Sequence, residues 1–312
     1  MPVWIWIIII AVIVFGVLPL PILAFYLYAV LLVRTSKKKW GRECSIPDDE
    51  EYQRMFDIGI AWDQQYASYK HPVEIVSDGL KLVGEYFDFG SETSVIIIAG
   101  RMESLLYSYY FAEPYRRLGY NVLVIDNRAH GLSEGRFLSL GFKEYRDILR
   151  WGELLHDTFH QKNIVIHGIC IGSSVGLFAL CAPECPSYFR AMAAEGMFTC
   201  FKDNFVNHLI DGHHPVQPAT FLVTLYIRLF TGADVVHDGP LYRIDKLKKP
   251  ILFLHSKEDV FSLPSEVQQV YDRCQSQKKL VWFEKGAHSR VRINAPERYD
   301  ETVVDFFREL CI

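Results

Sequence analysis

The chain has 312 residues, half of them hydrophobic, and a formal net charge of −4. That mild acidity leaves no basic footprint for nucleic acid. The seven cysteines, Cys44, Cys170, Cys181, Cys185, Cys200, Cys274 and Cys311, are an odd number without framework spacing. This excludes a disulfide-stapled secreted scaffold and suits reduced thiols in a cytosolic compartment.

Arg34 is the first charged side chain. Residues 1–34 therefore read as a transmembrane anchor, because Val3–Val33 exceeds the roughly 20 apolar residues that span a bilayer. Trp4 and Trp6 at one end, and Tyr26, Tyr28 and Trp40 at the other, suit the interfacial belts. Pro19 and Pro21 are expected to kink the helix. A cleaved signal peptide fits badly, since there is no basic n-region and no small-residue cleavage site. Arg34, Lys37, Lys38, Lys39 and Arg42 follow. The positive-inside rule then predicts a single-pass protein of the cell membrane with its main domain in the cytoplasm. The same basic cluster suits anionic lipid headgroups.

Residues 35–72 read as a basic juxtamembrane linker and an amphipathic helix. Asp48 or Asp49 would cap that helix, and Tyr52, Phe56, Ile60 and Trp62 would turn toward the body or the membrane. Pro72–Val76 and Leu80–Phe87 are predicted strands joined by Ser77-Asp78-Gly79. Further strands are expected at Ser94–Ala99, Asn121–Ile125, Phe189–Ala194, Pro250–His255 and Leu280–Phe283. Helices are expected over 103–118, 142–159, 264–275 and 297–310. The alternation predicts an α/β domain over residues 73–312, a mostly parallel sheet with helices on both faces. The long insertion at 197–241 reads as a cap. Its greasy stretch Ala219–Phe230, with Arg228 as sole charge, would pack on the core, line an acyl pocket or touch the bilayer.

Asn163–Gly176 organises the rest. Ile164, Val165 and Ile166 make a buried strand. Gly168 and Gly172 flank Cys170, and a helix can start at Ser173. This is the nucleophile elbow G-x-Nu-x-G, whose tight turn needs small residues two before and two after the nucleophile. The tip sits at a helix N-terminus, which favours a thiolate and then an oxyanion. Gly172-Ser173-Ser174-Val175-Gly176 is a second literal match centred on Ser174. Cys170 is preferred because the strand runs straight into Gly168, whereas Ser174 falls a helical turn later, facing packing. The bland alternative for Cys170 is an inert buried thiol.

A nucleophile needs a base, and the base an orienting acid. Asp259 lies just past one strand and His288 just past the next, at the carboxyl ends where such groups gather. With His255-Ser256-Lys257-Glu258-Asp259 and Asp126-Asn127-Arg128-Ala129-His130-Gly131-Leu132-Ser133, these motifs resemble the α/β-hydrolases. The likeness is to the membrane-anchored branch similar to monoglyceride lipases and serine aminopeptidases, over roughly residues 73–310. Ala129 replaces a glycine of the pattern, and cysteine at the elbow resembles dienelactone hydrolases. The resemblance implies a Cys170–His288–Asp259 triad acting on a small, lipid-like acyl substrate. It implies an oxyanion hole from the backbone N–H groups of Ile171 and Arg101, each such donor being worth ~3–4 kcal/mol in the transition state. No cofactor or metal is implied. The Arg101 side chain is either an exposed surface charge or a holder of an anionic substrate group.

Lesser candidates have bland readings. Glu195 would be a substitute acid, His130 a brace for its loop, and His167 a partner of neighbouring backbone. His208, His213 and His214 would lie in a solvated loop, and Cys181 with Cys185 would be structural. The departures at Cys170, Ala129 and Arg101 also fit a degenerate hydrolase acting as a membrane-tethered binding or scaffold protein.

Overall fold

The β-branched runs of the sequence become one eight-stranded sheet. The computed structural model describes residues 2–35 and 42–312; Lys37, Lys38, Lys39 and Trp40 lie outside the described residues. The strands are β1 (Lys70–Ser77), β2 (Leu80–Phe87), β3 (Thr93–Ile98), β4 (Asn121–Ile125), β5 (Asn163–Ile169), β6 (Phe189–Glu195), β7 (Ile251–Ser256) and β8 (Lys278–Phe283). Their order is β1-β2-β4-β3-β5-β6-β7-β8. The first hairpin and the β2–β4 pair are antiparallel, and every other pairing is parallel. Asp78 and Gly79 turn the hairpin at φ 49° and 76°, the left-handed geometry that matches strand twist. Every residue of β3, β4 and β7 is buried, as a parallel sheet covered on both faces requires.

The helices are α1 (Val3–Val12), α2 (Pro19–Leu32), α3 (Glu50–Gln65), α4 (Leu105–Ser108), α5 (Glu113–Arg117), α6 (Glu144–Asp157), α7 (Ile171–Cys181), α8 (Phe201–Asp211), α9 (Ala219–Thr231), α10 (Pro240–Arg243), α11 (Pro264–Arg273), α12 (Val291–Asn294) and α13 (Pro296–Glu309). One sheet face packs on α6, α7, α11 and the cap. The other packs on α3, α4, α5 and α13. Asp49 is the cap of α3, accepting from the Tyr52 N–H at 3.1 Å. The single helix predicted over 103–118 is instead α4, a 3-10 turn and α5. Pro114 sits in the first turn of α5, where it starts a helix but cannot continue one. The elbow helix begins at Ile171 rather than Ser173.

From Val3 to Leu32 the chain is an apolar helical segment, long enough to cross a membrane and interrupted by a turn at Leu18. Its hydrogen bonding loosens to a π-helical stretch at Ile13–Val17, which contains Phe15 and Val17, the residues four before Pro19 and Pro21. A proline ring clashes with the carbonyl four residues earlier, which accounts for the loosening. The C-terminal half is built into the domain. Ala24, Tyr28 and Leu32 are buried on one face, at the i, i+4, i+8 spacing of a helical stripe. Tyr28 stacks on Phe230 at 5.5 Å, and the Tyr226 hydroxyl donates to the Pro21 carbonyl at 3.0 Å. Beyond the helix, the Arg34 N–H donates to the Arg136 carbonyl at 2.8 Å. Arg34 and Arg42 are bonded within the domain: Arg34 donates to the Gly131 carbonyl at 2.6 Å, and Arg42 pairs with Asp126 at 2.8 Å.

Gly84 in β2 leaves room for the fully buried Trp151 of α6, since a Cβ there would lie 3.1 Å from the indole. Trp151→Ala is expected to cost about 3–5 kcal/mol, read as a lowered midpoint in chemical unfolding.

Candidate functional site

Cys170 occupies the turn between β5 and α7 at φ 54°, ψ −116°. A side-chain-bearing residue in such a region costs about 1–3 kcal/mol and persists only where its surroundings impose it. Two glycines impose it. A Cβ on Gly168 would stand 2.4 Å from the Gly172 carbonyl oxygen, and one on Gly172 would stand 2.1 Å from that of Ile98. The elbow therefore folds flat against β3. The Cys170 N–H is tied to the Glu195 carbonyl at 2.9 Å, so β6 fixes the turn from the other side. The thiol is half-buried. Ser173 instead donates to the carbonyls of Gly168 and Glu195, and the buried Ser174 hydroxyl lies 3.5 Å from the Leu140 carbonyl. Both hydroxyls are spent on packing.

The loops after β7 and β8 bring Asp259 and His288 together. His288 Nδ1 lies 2.7 Å from Asp259 Oδ2. Asp259 Oδ1 accepts from the N–H groups of Phe261 and Ser262 at 2.9 and 2.8 Å, which holds the carboxylate in one orientation. Gly196, at φ 65°, makes space for the ring; a Cβ there would be 2.9 Å from His288 Cε1. Nε2 is buried with no hydrogen bond of good geometry among the described residues. Cys170 is nonetheless near enough to act on the ring. Burial disfavours the imidazolium, but the Asp259 carboxylate and the Cys170 sulfur outweigh it and hold His288 well above its ordinary value. Burial likewise opposes the Asp259 anion, yet His288 pulls its carboxyl down.

Cys170, Ile171, Arg101 and His288 line one cavity of about 190 Å³. Gly100 brings the β3 turn against the elbow, its own Cβ position being 3.5 Å from Cys170 Cβ. The N–H groups of Ile171 and Arg101 make no backbone hydrogen bond among the described residues. They are free to receive a developing oxyanion. The Arg101 guanidinium is no exposed surface charge: it is half-buried, and Nη1 points to Met102 Sδ at 3.2 Å. Burial pushes its pKa down, and no carboxylate pairs with it within 4 Å among the described residues.

The remaining candidates separate cleanly. Glu195 does not reach His288; it accepts from the Val291 N–H at 3.1 Å and the Tyr299 hydroxyl at 2.6 Å. His167 bonds the hydroxyls of Tyr115 and Tyr299 at 2.8 and 3.0 Å, not backbone, because aromatic side chains rather than a loop surround β5. His130 braces its loop through the Arg128 carbonyl at 2.9 Å and the Met102 N–H at 3.3 Å. Ala129 sits at φ 65°, which explains why a glycine suits that place in the family pattern. His213 and His214 are exposed, but His208 is not in a solvated loop. It lies on α8 and stacks on Phe261 at 3.7 Å, and burial lowers its pKa to about 4. Cys181 and Cys185 are free. No metal-holding cluster of histidine, cysteine or acid occurs among the described residues.

Sequence reasoning missed Glu103. Its Oε2 accepts from the Gly100 N–H at 3.3 Å, its Oε1 from the Tyr52 hydroxyl, and burial raises its pKa to about 7. It props the turn that presents Arg101. Ser45 and Ile46, from the linker, form another wall of the cavity. Nothing in a local motif flags these residues; only the three-dimensional return of the linker does.

An NMR titration should place the His288 midpoint above the ordinary 6.5, and Asp259→Asn should lower it. Burial of Glu195 raises its carboxyl from 4.5 to about 7. The native state then binds that proton more readily than the unfolded chain, so this group makes stability fall as pH rises across that interval. Thermal unfolding of Glu195→Gln should show a flatter decline than the parent over the same interval.

No protein-family model matches the chain. A structure of an esterase from Pyrococcus furiosus is 24% identical with a TM-score of 0.68, covering 79% of this chain and 93% of its own. An α/β-hydrolase from Vibrio vulnificus is 17% identical with a TM-score of 0.61, covering 90% and 92%. Among sequences, an uncharacterized membrane protein of Saccharomyces cerevisiae is 25% identical over 79% of this chain and 82% of its own. The uncharacterized protein YqkD of Bacillus subtilis is 31% identical over 215 residues, 68% of this chain and 70% of its own. The chain has the α/β-hydrolase fold and belongs to the family of YqkD.

Proposed function

We propose that the chain is a membrane-anchored hydrolase of carboxylic esters, thioesters or amides, working through Cys170, His288 and Asp259. One observation carries this reading: the 2.7 Å bond from His288 Nδ1 to Asp259 leaves Nε2 buried and unbonded beside the strained Cys170. A ring held in that way is oriented for proton transfer. The likeness to an esterase and to an acylaminoacyl peptidase of Pyrococcus horikoshii, 20% identical with a TM-score of 0.56 and covering 77% of this chain and 41% of that one, points the same way.

The Cys170 proton passes to His288 Nε2, and the sulfur forms a bond to the acyl carbon. The carbonyl oxygen takes up the electron pair and rests on the N–H groups of Ile171 and Arg101. The tetrahedral intermediate collapses, His288 returns the proton to the departing oxygen, sulfur or nitrogen, and a Cys170 thioester remains. Water then attacks that thioester with Nε2 as base, and the acid is released with the thiol restored. The elevated proton affinity of His288 suits a thiolate–imidazolium pair, the form in which cysteine is the nucleophile. The apolar helix Val3–Leu32 supports a membrane location. The odd number of cysteines without framework spacing suits reduced thiols and so a cytoplasmic domain.

The test is turnover of a panel of butyryl and octanoyl esters, thioesters and amides by the full chain in detergent micelles. Cys170→Ala and His288→Ala should each lower kcat/KM by about 10³-fold or more. Turnover undiminished in Cys170→Ala would overturn the assignment.

A further inference from the structure

A second cavity, of about 150 Å³, lies between the anchor and the cap. Leu27 and Leu31 of α2 form one wall, and Phe201, Phe205 and Leu209 of α8 form the other. It adjoins the Cys170 cavity across Arg101, Asn204 and His208, which line both. The wall is held in place, because α2 is pinned to α9 through Tyr226 and Phe230. Away from that wall α2 is apolar and open, with Ile22 and Tyr26 each about two-thirds exposed. The helix of 30 residues is ~45 Å long against a hydrocarbon core of ~30 Å. Inserted in a bilayer, such a helix would carry its last turns to the headgroup layer, with lipid on one side and this cavity on the other.

We propose that the anchor helix is itself part of the substrate site: the hydrocarbon chain of an acyl substrate lies between α2 and α8, and Leu27 and Leu31 limit its length. This rests on Cys170 being the group that meets the substrate. The lining near α2 is hydrocarbon and aromatic, which suits an alkyl chain and repels a polar one. The shared boundary is polar, so the carbonyl and its oxygen- or nitrogen-bearing end fall next to Arg101, Asn204 and His208, within the Cys170 cavity. Substrates of this shape are amphiphiles that partition into the bilayer. A helix that both holds the protein in the membrane and walls the chain's slot places the reacting carbon at a fixed height above the headgroups.

The test compares alkylation of Cys170 by iodoacetamide and by N-dodecyl iodoacetamide, with the full chain in micelles and the modified peptide quantified by mass. Leu27→Trp and Leu31→Trp fill the slot. Each should slow the dodecyl reagent relative to the short one by roughly tenfold, as a crowded hydrophobic pocket does. Ile22→Trp, on the lipid side of the same helix, should leave the ratio unchanged and controls for partition into micelles. Equal slowing of both reagents, or slowing of neither, overturns the proposal. Alkylation requires no turnover. A chain-length effect without hydrolysis of any panel member would reject the hydrolase reading alone, and hydrolysis without that effect would reject the slot alone.

Discussion

The contact between the elbow and β3 governs the arrangement. With a hydrogen where any other residue has a Cβ, Gly172 lies against the Ile98 carbonyl. That approach forces Cys170 into its strained conformation and sets it in the wall of the cavity. Everything else in the site is placed relative to that contact. The turn after β3 supplies Arg101, β6 clamps the Cys170 N–H, and the loops after β7 and β8 arrive with the acid and the imidazole. The strain is stored locally and opposed by the buried sheet on both sides.

A second constraint comes from the N-terminus. The N-terminal apolar helix is continuous with the domain: its buried stripe packs on the cap, its end pairs with residues 136–138, and the following linker borders the Cys170 cavity. Arg34 and Arg42, which a charge-pattern reading turns toward lipid, serve as internal struts for the Asp126–Ser133 loop. A guanidinium makes short, oriented hydrogen bonds to carbonyls and to a buried carboxylate, and salt screens such buried pairs less than exposed ones.

Much of this was legible in the sequence. Buried parallel strands announce themselves as runs such as Val95–Ile98 and Ile164–Ile166, because both faces are covered. The elbow was legible because its glycines answer to local geometry. Asp259 and His288 were legible as positions after strands, since carboxyl ends converge in an open α/β sheet. Side-chain partnerships over long separations were not. His167 between two tyrosines, Glu103 under Gly100 and His208 on the cap helix depend on elements far apart in the chain. The break at Pro114 was readable in principle, but the apolar periodicity around it masked a helix restart.

The ion pairs of Arg290 have a consequence for how the protein can be cut. Arg290 stands two residues after His288 and is neutralised by Asp49 at 2.7 Å and Glu51 at 3.1 Å, both from the segment that follows the N-terminal apolar helix. A protease that severed the chain beyond Glu51 would do more than remove the N-terminal segment. It would strip the counter-ions from a cation next to the imidazole and open the cavity wall that Ser45 and Ile46 supply. Loss of the N-terminal segment and disruption of the cavity would then be one event.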